Sequence, residues 1–471
     1  MINNFNFFNL QLFGNNQNLR SYLVFAYFLL FFSVGENIVN IKFNQNILEL
    51  KNTFYIRAIA PYLILIINFI LIVRLKVINV FTSNRVLIFF YLIFLFQSLG
   101  LLFSENREYL ALVHFLVGTL ATLTLFNIIL WFNENKLISQ LLSITIFFFV
   151  LIVIIFIYQN PNISYGGGSI VFFGKEIYYL NSNGFSRYLL FIYIFIFSKT
   201  LIETKIYNLK YLLILIFISS LIIAYEGRVN ILSLLTINLF IFFNKLEIKD
   251  KLKFFILIII IPIFFSNIVK NFQTYQKEFQ KYGVKELKKY DVYSQMENFI
   301  LEINTSTNRL KNVDDKVVPI ENYFEHITSS ADNFTTGRIN KWIEIIKHKQ
   351  KPKNYIFGNG PEFDRFILQK RQLQKFGNDS ASAILYLYLC GGLISLFFLL
   401  IFGIYQFYLF YFAILKIKKT DDVYFLISLK LFIFLAIRSF FENSFAYWGI
   451  DQILFILTAI YWNSYVTKKL S

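Results

Sequence analysis

The stretch Thr335–Leu400, TTGRINKWIEIIKHKQKPKNYIFGNGPEFDRFILQKRQLQKFGNDSASAILYLYLCGGLISLFFLL, decides how the chain is to be understood. It closes the only long polar segment, about residues 271–381, and runs straight back into apolar sequence. On either side the chain is mostly apolar. Of its 471 residues 57% are hydrophobic, 20% aromatic and only 15% charged, with a mean hydropathy of +0.57. A soluble domain carries about 25% charged residues. This excess of apolar surface cannot be hidden in one water-soluble core. The expectation is an all-α, polytopic integral membrane protein.

Working outward, apolar runs of roughly 17–25 residues mark spanning helices. They fall near 21–38, 58–75, 86–103, 109–132, 137–158, 188–204, 209–225, 229–245, 252–270, 387–415, 423–441 and 449–466, which makes twelve. The chain thus divides into spans over 1–270, a large external loop over 271–381, and further spans over 382–471. Gly391-Gly392 in the over-long tenth run predicts a break between a short lead-in helix and the true span.

Lys and Arg in short loops mark the cytoplasmic side. Arg74, Lys76 and Arg85, then Lys136, then Lys199, Lys205 and Lys210, then Lys245 to Lys253, and Lys416 to Lys419 occupy alternate connections. The connections between them, such as SENRE at 104–108 and FENSFAYWG at 441–449, are poorer or balanced. Both termini are therefore predicted cytoplasmic and the long loop external. The net charge of +17 belongs to this orientation pattern, not to a nucleic-acid surface. The first twenty residues lack a basic n-region and a small-residue cleavage site, so no removable signal peptide is predicted.

The single cysteine, Cys390, excludes an internal disulfide and a cysteine metal site. Three histidines, His114, His326 and His348, make a histidine-rich metal centre a poor reading. The sequence has no Walker loop, HExxH or GxSxG. An enzyme built this way draws on an already activated substrate.

The loop carries its charge unevenly. Residues 270–337 hold nine basic and ten acidic side chains, whereas 338–375 hold ten basic and three acidic. A basic external surface suits an anionic partner such as a pyrophosphate or lipid headgroup; for single lysines, a solvated face is the plainer reading. Ile339, Trp342, Ile343 and Ile346 form one apolar stripe, predicting a helix capped by Thr335 or Thr336 and ended before Pro352. Arg338 then lies in its first turn and Lys341 one turn on. Gly358-Asn359-Gly360-Pro361 predicts a turn, with Pro361 able to open another helix carrying Phe363, Phe366 and Ile367.

Other candidates sit at the external ends of spans. Arg228 lies in a minimal turn between two apolar runs, where an arginine either has a partner and a task or snorkels to the surface. Glu226 beside it is either its ion-pair partner or a base. Asn183 and Arg187 precede a span, where amides suit sugar hydroxyls but also cap helices. Arg438 and Glu442 bracket the end of one span, at a spacing that allows pairing. Lys430 stands mid-span with no acidic partner close in sequence.

Taken in order, NSNGFSR at 181–187, EGRVNILSLL at 226–235, TGRINKWIEIIKHKQKPKNYIFGNGPEF at 336–363 and SASAILYLYLCGGLISLFF at 380–398 resemble the bacterial O-antigen polymerase and ligase superfamily. These pieces cover about a quarter of the chain. The resemblance implies a glycosyltransferase of the bacterial cytoplasmic membrane that uses a polyprenyl-pyrophosphate-linked oligosaccharide, with no metal, nucleotide sugar or other cofactor. An acceptor hydroxyl attacks the anomeric carbon and the polyprenyl pyrophosphate leaves, its growing charge met by arginines. It implies Arg228 and Arg338 as the leading pair, with Glu226 and Asp379 as further catalytic candidates. Asn183, Arg187, Lys341 and Arg438 are candidates for substrate binding. Expected partners are membrane lipids, a chain-length regulator and a flippase. The ligases typically carry a histidine near the end of the long loop. Here the segment is GNDSASA, which favours polymerase over ligase; Asp379 in it is either a base or a helix N-cap. A transporter of lipid-linked sugars is the alternative of a different class, and such proteins favour binding groups near the bilayer midplane.

Overall fold

The computed structural model describes residues 16–34, 52–75, 84–103, 109–132, 135–160, 168–172, 175–180, 182–202, 208–225, 227–243, 247–282, 338–346, 352–361, 363–364, 382–417, 420–442 and 448–468. Each of the twelve apolar runs carries a helix. They are α1 (Asn16–Ser33), α2 (Asn52–Arg74), α3 (Arg85–Gly100), α4 (Tyr109–Trp131), α5 (Asn135–Gln159), α6 (Ser182–Ile202), α7 (Leu209–Ala224), α8 (Arg228–Asn238) and α9 (Ile248–Tyr282). After the long loop come α10 (Arg338–Ile346), α11 (Pro352–Phe357), α12 (Ala383–Ile417), α13 (Val423–Phe441) and α14 (Ile450–Lys468). Among the described residues the departure from an all-helical chain is one antiparallel hairpin, β1 (Gly168–Phe172) with β2 (Lys175–Leu180), after the glycine tract.

Five helices are long and apolar enough to cross a membrane: Lys136–Gln159, Asn183–Ile202, Ile248–Val269, Ala383–Ile417 and Val423–Phe441. Five shorter apolar stretches of 10–17 residues lie in α2, α3, α4, α7 and α8 with its 3-10 extension. The outer faces of α9 and α12 leave Ile256, Ile260, Phe264, Phe397, Ile404 and Phe407 exposed, surface that only a bilayer or a partner would cover.

The helices pack in neighbouring pairs, α7 with α9, α3 with α12, α2 with α4 and α13 with α14. Between apolar helices the hydrophobic drive is weak in lipid, and side-chain hydrogen bonds help set the pairing. Tyr22 donates to Asn68 Oδ1 at 2.7 Å, and Asn68 Nδ2 donates to Thr124 Oγ1 at 3.1 Å, tying α1, α2 and α4. Tyr193 donates to Asn238 Oδ1 at 2.5 Å, tying α6 to α8.

The break predicted at the paired glycines is present. Gly392 has φ +69°, which interrupts α12. The loop after α11 fills that break: Asn359 N–H donates to Leu389 O and Gly360 N–H to Cys390 O, both at 2.9 Å. A Cβ on Gly392 would lie 2.2 Å from Ile356 O, so the close approach requires glycine there. The predicted turn at 358–361 is thus the clamp that fastens the end of the basic segment to the membrane helices. Phe363 and Asp364 are helical and buried, whereas Phe366, Ile367 and the rest of that predicted helix lie outside the described residues.

The helix expected from the apolar stripe is present as α10, and its sides are unevenly buried. Lys341 and Ile345 are buried, Trp342 and Ile343 are half-buried, and Ile346 is exposed. Arg338, Lys341 and Ile345, at i, i+3 and i+7, share the inward face. The stripe residues Trp342, Ile343 and Ile346 are thus turned partly outward.

Candidate functional site

Three helix ends meet at the expected outer side. Arg187 is in the second turn of α6, Arg438 in the last turn of α13, and Asp451 in the first turn of α14. All three are buried, at 4%, 5% and 6% exposure. Arg438 Nε donates to Asp451 Oδ2 at 2.8 Å, and Arg187 Nη1 donates to Asp451 Oδ1 at 3.4 Å. Both oxygens of Asp451 are therefore held by guanidinium groups. Arg438 Nη2 also pairs with Glu442 one turn on, as the spacing allowed. The Arg187 guanidinium lies over the Tyr188 ring, 5.1 Å from its centroid.

Burying three charges together is tolerable only because they compensate one another. The compensation leaves loose ends. Arg438 Nη1 and Gln452 Oε1 are buried with no hydrogen-bond partner among the described residues. An unmet guanidinium N–H in a buried place is an opening for an anionic oxygen.

Arg338 opens α10 beside this cluster. It is half-buried, and its charge acts on Glu442 together with those of Arg438 and Arg187. Burial is the larger influence and pushes the Glu442 carboxyl above the ordinary range; Arg438 opposes that rise, Asp451 adds to it, and Arg187 and Arg338 oppose it. The Glu442 side chain is 24% exposed against 8% for Asp451. Glu442 therefore stands at the mouth of the cluster and Asp451 at its floor.

The turn of Arg228 docks next door. Asn230 Nδ2 donates to Ser186 Oγ at 2.5 Å and to Asn183 O at 3.1 Å. A Cβ on Gly227 would lie 2.6 Å from Ser186 Oγ, so glycine lets the start of α8 sit against the start of α6. Arg228 itself is exposed on that turn. The structure thus gathers Arg187, Arg338 and Arg438 around two carboxylates, with Asn183 and the Arg228 turn adjoining. Lys341 is buried on the same face of α10 as Arg338. Glu226, Asp379, His326 and His348 lie outside the described residues.

The residue that the sequence reading passed over is Asp451. Its signal was a lone acid opening an apolar span, which demands a partner. Trp448, just before it, explains how that end is held: its indole N–H donates to Thr122 Oγ1 at 3.1 Å, and its ring fills the space that a Cβ on Gly118 would take.

Lys430 is fully buried in mid-span. Its Nζ donates to Ser198 Oγ at 3.1 Å and lies 4.1 Å from the centroid of Phe197. Among the described residues no carboxylate pairs with it, and no group of three His, Cys, Asp or Glu side chains is arranged to hold a metal ion.

Compared with known proteins, the chain matches no family model, no curated protein and no solved structure.

Proposed function

We propose that the chain is a polymerase of bacterial surface polysaccharide, a twelve-span protein of the cytoplasmic membrane with both termini inside. It joins polyprenyl-pyrophosphate-linked repeat units on the outer face. The observation that carries this reading is the meeting of Arg187, Arg338 and Arg438 at helix ends, with Arg438 Nη1 buried and without a hydrogen-bond partner among the described residues. In the predicted topology the start of α6, the end of α13 and the start of α14 fall on the same side of the membrane as the long loop.

A pyrophosphate is the substrate group that such a cluster suits. Its charge grows as the bond to the anomeric carbon breaks, and fixed guanidinium groups in a dry place stabilise charge that develops more than charge already present. Arg338 and Lys341 approach from the α10 side, so the leaving group sits between the loop and the helix ends. Asn183 and the Arg228 turn lie where the glycan part would pass. The missing histidine in GNDSASA favours polymerase over ligation to a different acceptor.

Purified protein in proteoliposomes, given a polyprenyl-pyrophosphate oligosaccharide repeat unit, is expected to yield a ladder of longer lipid-linked chains. Movement of the unit across the bilayer without lengthening would instead establish a transporter, and transfer only to a different lipid or protein acceptor would establish a ligase.

A further inference from the structure

The polymerase reading needs a group that takes the proton from the acceptor hydroxyl. We infer that this group is Glu442, through Oε1, the carboxylate oxygen that Arg438 leaves free; the inference rests on the function proposed above.

Asp451 is bonded to both Arg187 and Arg438 and cannot serve. Both its oxygens accept guanidinium bonds, from Arg187 and Arg438, and it is the more deeply buried acid. Glu442 gives Oε2 to Arg438 and has no other partner among the described residues. It stands at the helix end, in extended backbone that closes α13, with its amide N–H bonded back to Arg438 O at 2.9 Å. The carboxylate is thus held by a fixed backbone and one guanidinium that engages Oε2, on a side chain that is 24% exposed. A base placed this way is oriented by one bond and available at the other. The charged groups facing it are Arg438 on its own helix, Asp451 on α14, Arg187 on α6 and Arg338 on α10. The desolvation that raises its proton affinity also makes it a stronger base than an exposed glutamate.

The step balances without a co-reactant. The acceptor O–H bond breaks and its proton goes to Glu442. The oxygen forms a bond to the anomeric carbon of the donor, and the bond from that carbon to the pyrophosphate oxygen breaks. Polyprenyl pyrophosphate leaves with the electron pair, facing the arginines. Glu442 then releases the proton to water at the exposed mouth.

The test uses full-length protein in proteoliposomes with a synthetic polyprenyl-pyrophosphate oligosaccharide, reading elongation rate, donor affinity and pH profile. Wild type is expected to show a rate that rises with pH along one limb. Glu442→Gln is expected to lose about 100-fold or more in rate while donor affinity stays close to wild type, as for a group that acts only in the transition state. Glu442→Asp is expected to keep part of the rate and displace the limb, and Glu442→Ala to regain rate with added formate. Elongation by Glu442→Gln near the wild-type rate overturns the assignment and leaves the polymerase reading standing. So does an unmoved pH limb in Glu442→Asp, which also decides the matter should the Gln variant fail to insert. Absence of elongation by wild type overturns both.

Discussion

Arg438 reaches from the end of one helix to Asp451 at the start of the next, Nε to Oδ2 at 2.8 Å, with both side chains buried. The helices α13 and α14 are joined by a short connection, so a pair this close fixes how their outer ends meet. Arg187 binds the other oxygen of the same carboxylate and brings in α6. One acid therefore sets the position of two arginines.

Removing that acid takes from Arg187 and Arg438 the buried carboxylate that they share. Breaking a buried pair by deleting one partner is worth about 3–5 kcal/mol of stability. Asp451→Ala is expected to lower the unfolding midpoint in detergent sharply and to abolish elongation. Asp451→Glu should recover part of the stability but not the geometry. A midpoint unchanged by Asp451→Ala would show that the pair is not what holds the three helix ends.

Arg338 contributes differently. It opens α10, is half-buried, and has no ion pair among the described residues. Arg338→Ala is expected to leave insertion and unfolding midpoint almost unchanged while elongation falls by about 10²–10³, the size of one removed transition-state donor. Arg228→Ala, on the adjoining exposed turn, is expected to stop elongation with the protein still inserted. Wild-type chain lengths from either variant in cells would remove that residue from the site.

Much of this was legible in the sequence. The twelve apolar runs each carry a helix because burial in or against lipid demands a long apolar stretch, and such stretches are read directly. Arg228 stood out because charge beside apolar sequence is expensive, Arg338 as the start of the basic helix, and Arg187 and Arg438 as residues at the ends of spans, the last spaced to pair with Glu442. Which of them meet was not legible: Arg187 and Asp451 are 264 residues apart, and only packing brings them together. The helix α10 was legible from its apolar stripe, but not that Lys341 would be buried and that Arg338 would act on Glu442, since that carboxylate is 104 residues further along the chain.

The glycine clamp gives a prediction about that helix. Ala at 392 would have to adopt φ +69° and press a methyl to 2.2 Å from Ile356 O. Backbone strain of this kind costs about 1–3 kcal/mol before the clash is added. Gly392→Ala is expected to lower the unfolding midpoint and, by loosening the loop that follows α10 and α11, to reduce elongation as well. Equal activity and stability in the variant would show that the clamp does not position α10.

Glu442 makes stability depend on pH. Its carboxyl is raised in the folded protein, so over the window from the ordinary glutamate value of 4.5 up through the raised one the folded state binds more protons than the unfolded chain. Stability then falls as pH rises through that window. Glu442→Gln, which cannot titrate, is expected to flatten the decline in unfolding midpoint measured across it. A decline of the same slope in the variant would assign it to another group.

Lys430 separates the two classes of function. It is eight residues before Arg438 on one helix, about 12 Å inward at 1.5 Å per residue, and among the described residues its amine meets Ser198 and the face of Phe197. A transporter needs such a mid-membrane group, since the cargo or a coupled ion must pass it. A polymerase that works at the outer ends of the helices does not. There an amine buried with one hydrogen bond and one aromatic ring is a structural burden, and an apolar side chain of similar length is often neutral or stabilising. Lys430→Met is accordingly expected to keep elongation within about 2-fold, near the limit set by additivity for a distant site, with an unfolding midpoint equal to or above wild type. Loss of elongation in Lys430→Met, with activity kept in Lys430→Arg, would mean that the charge inside the membrane is part of the working cycle.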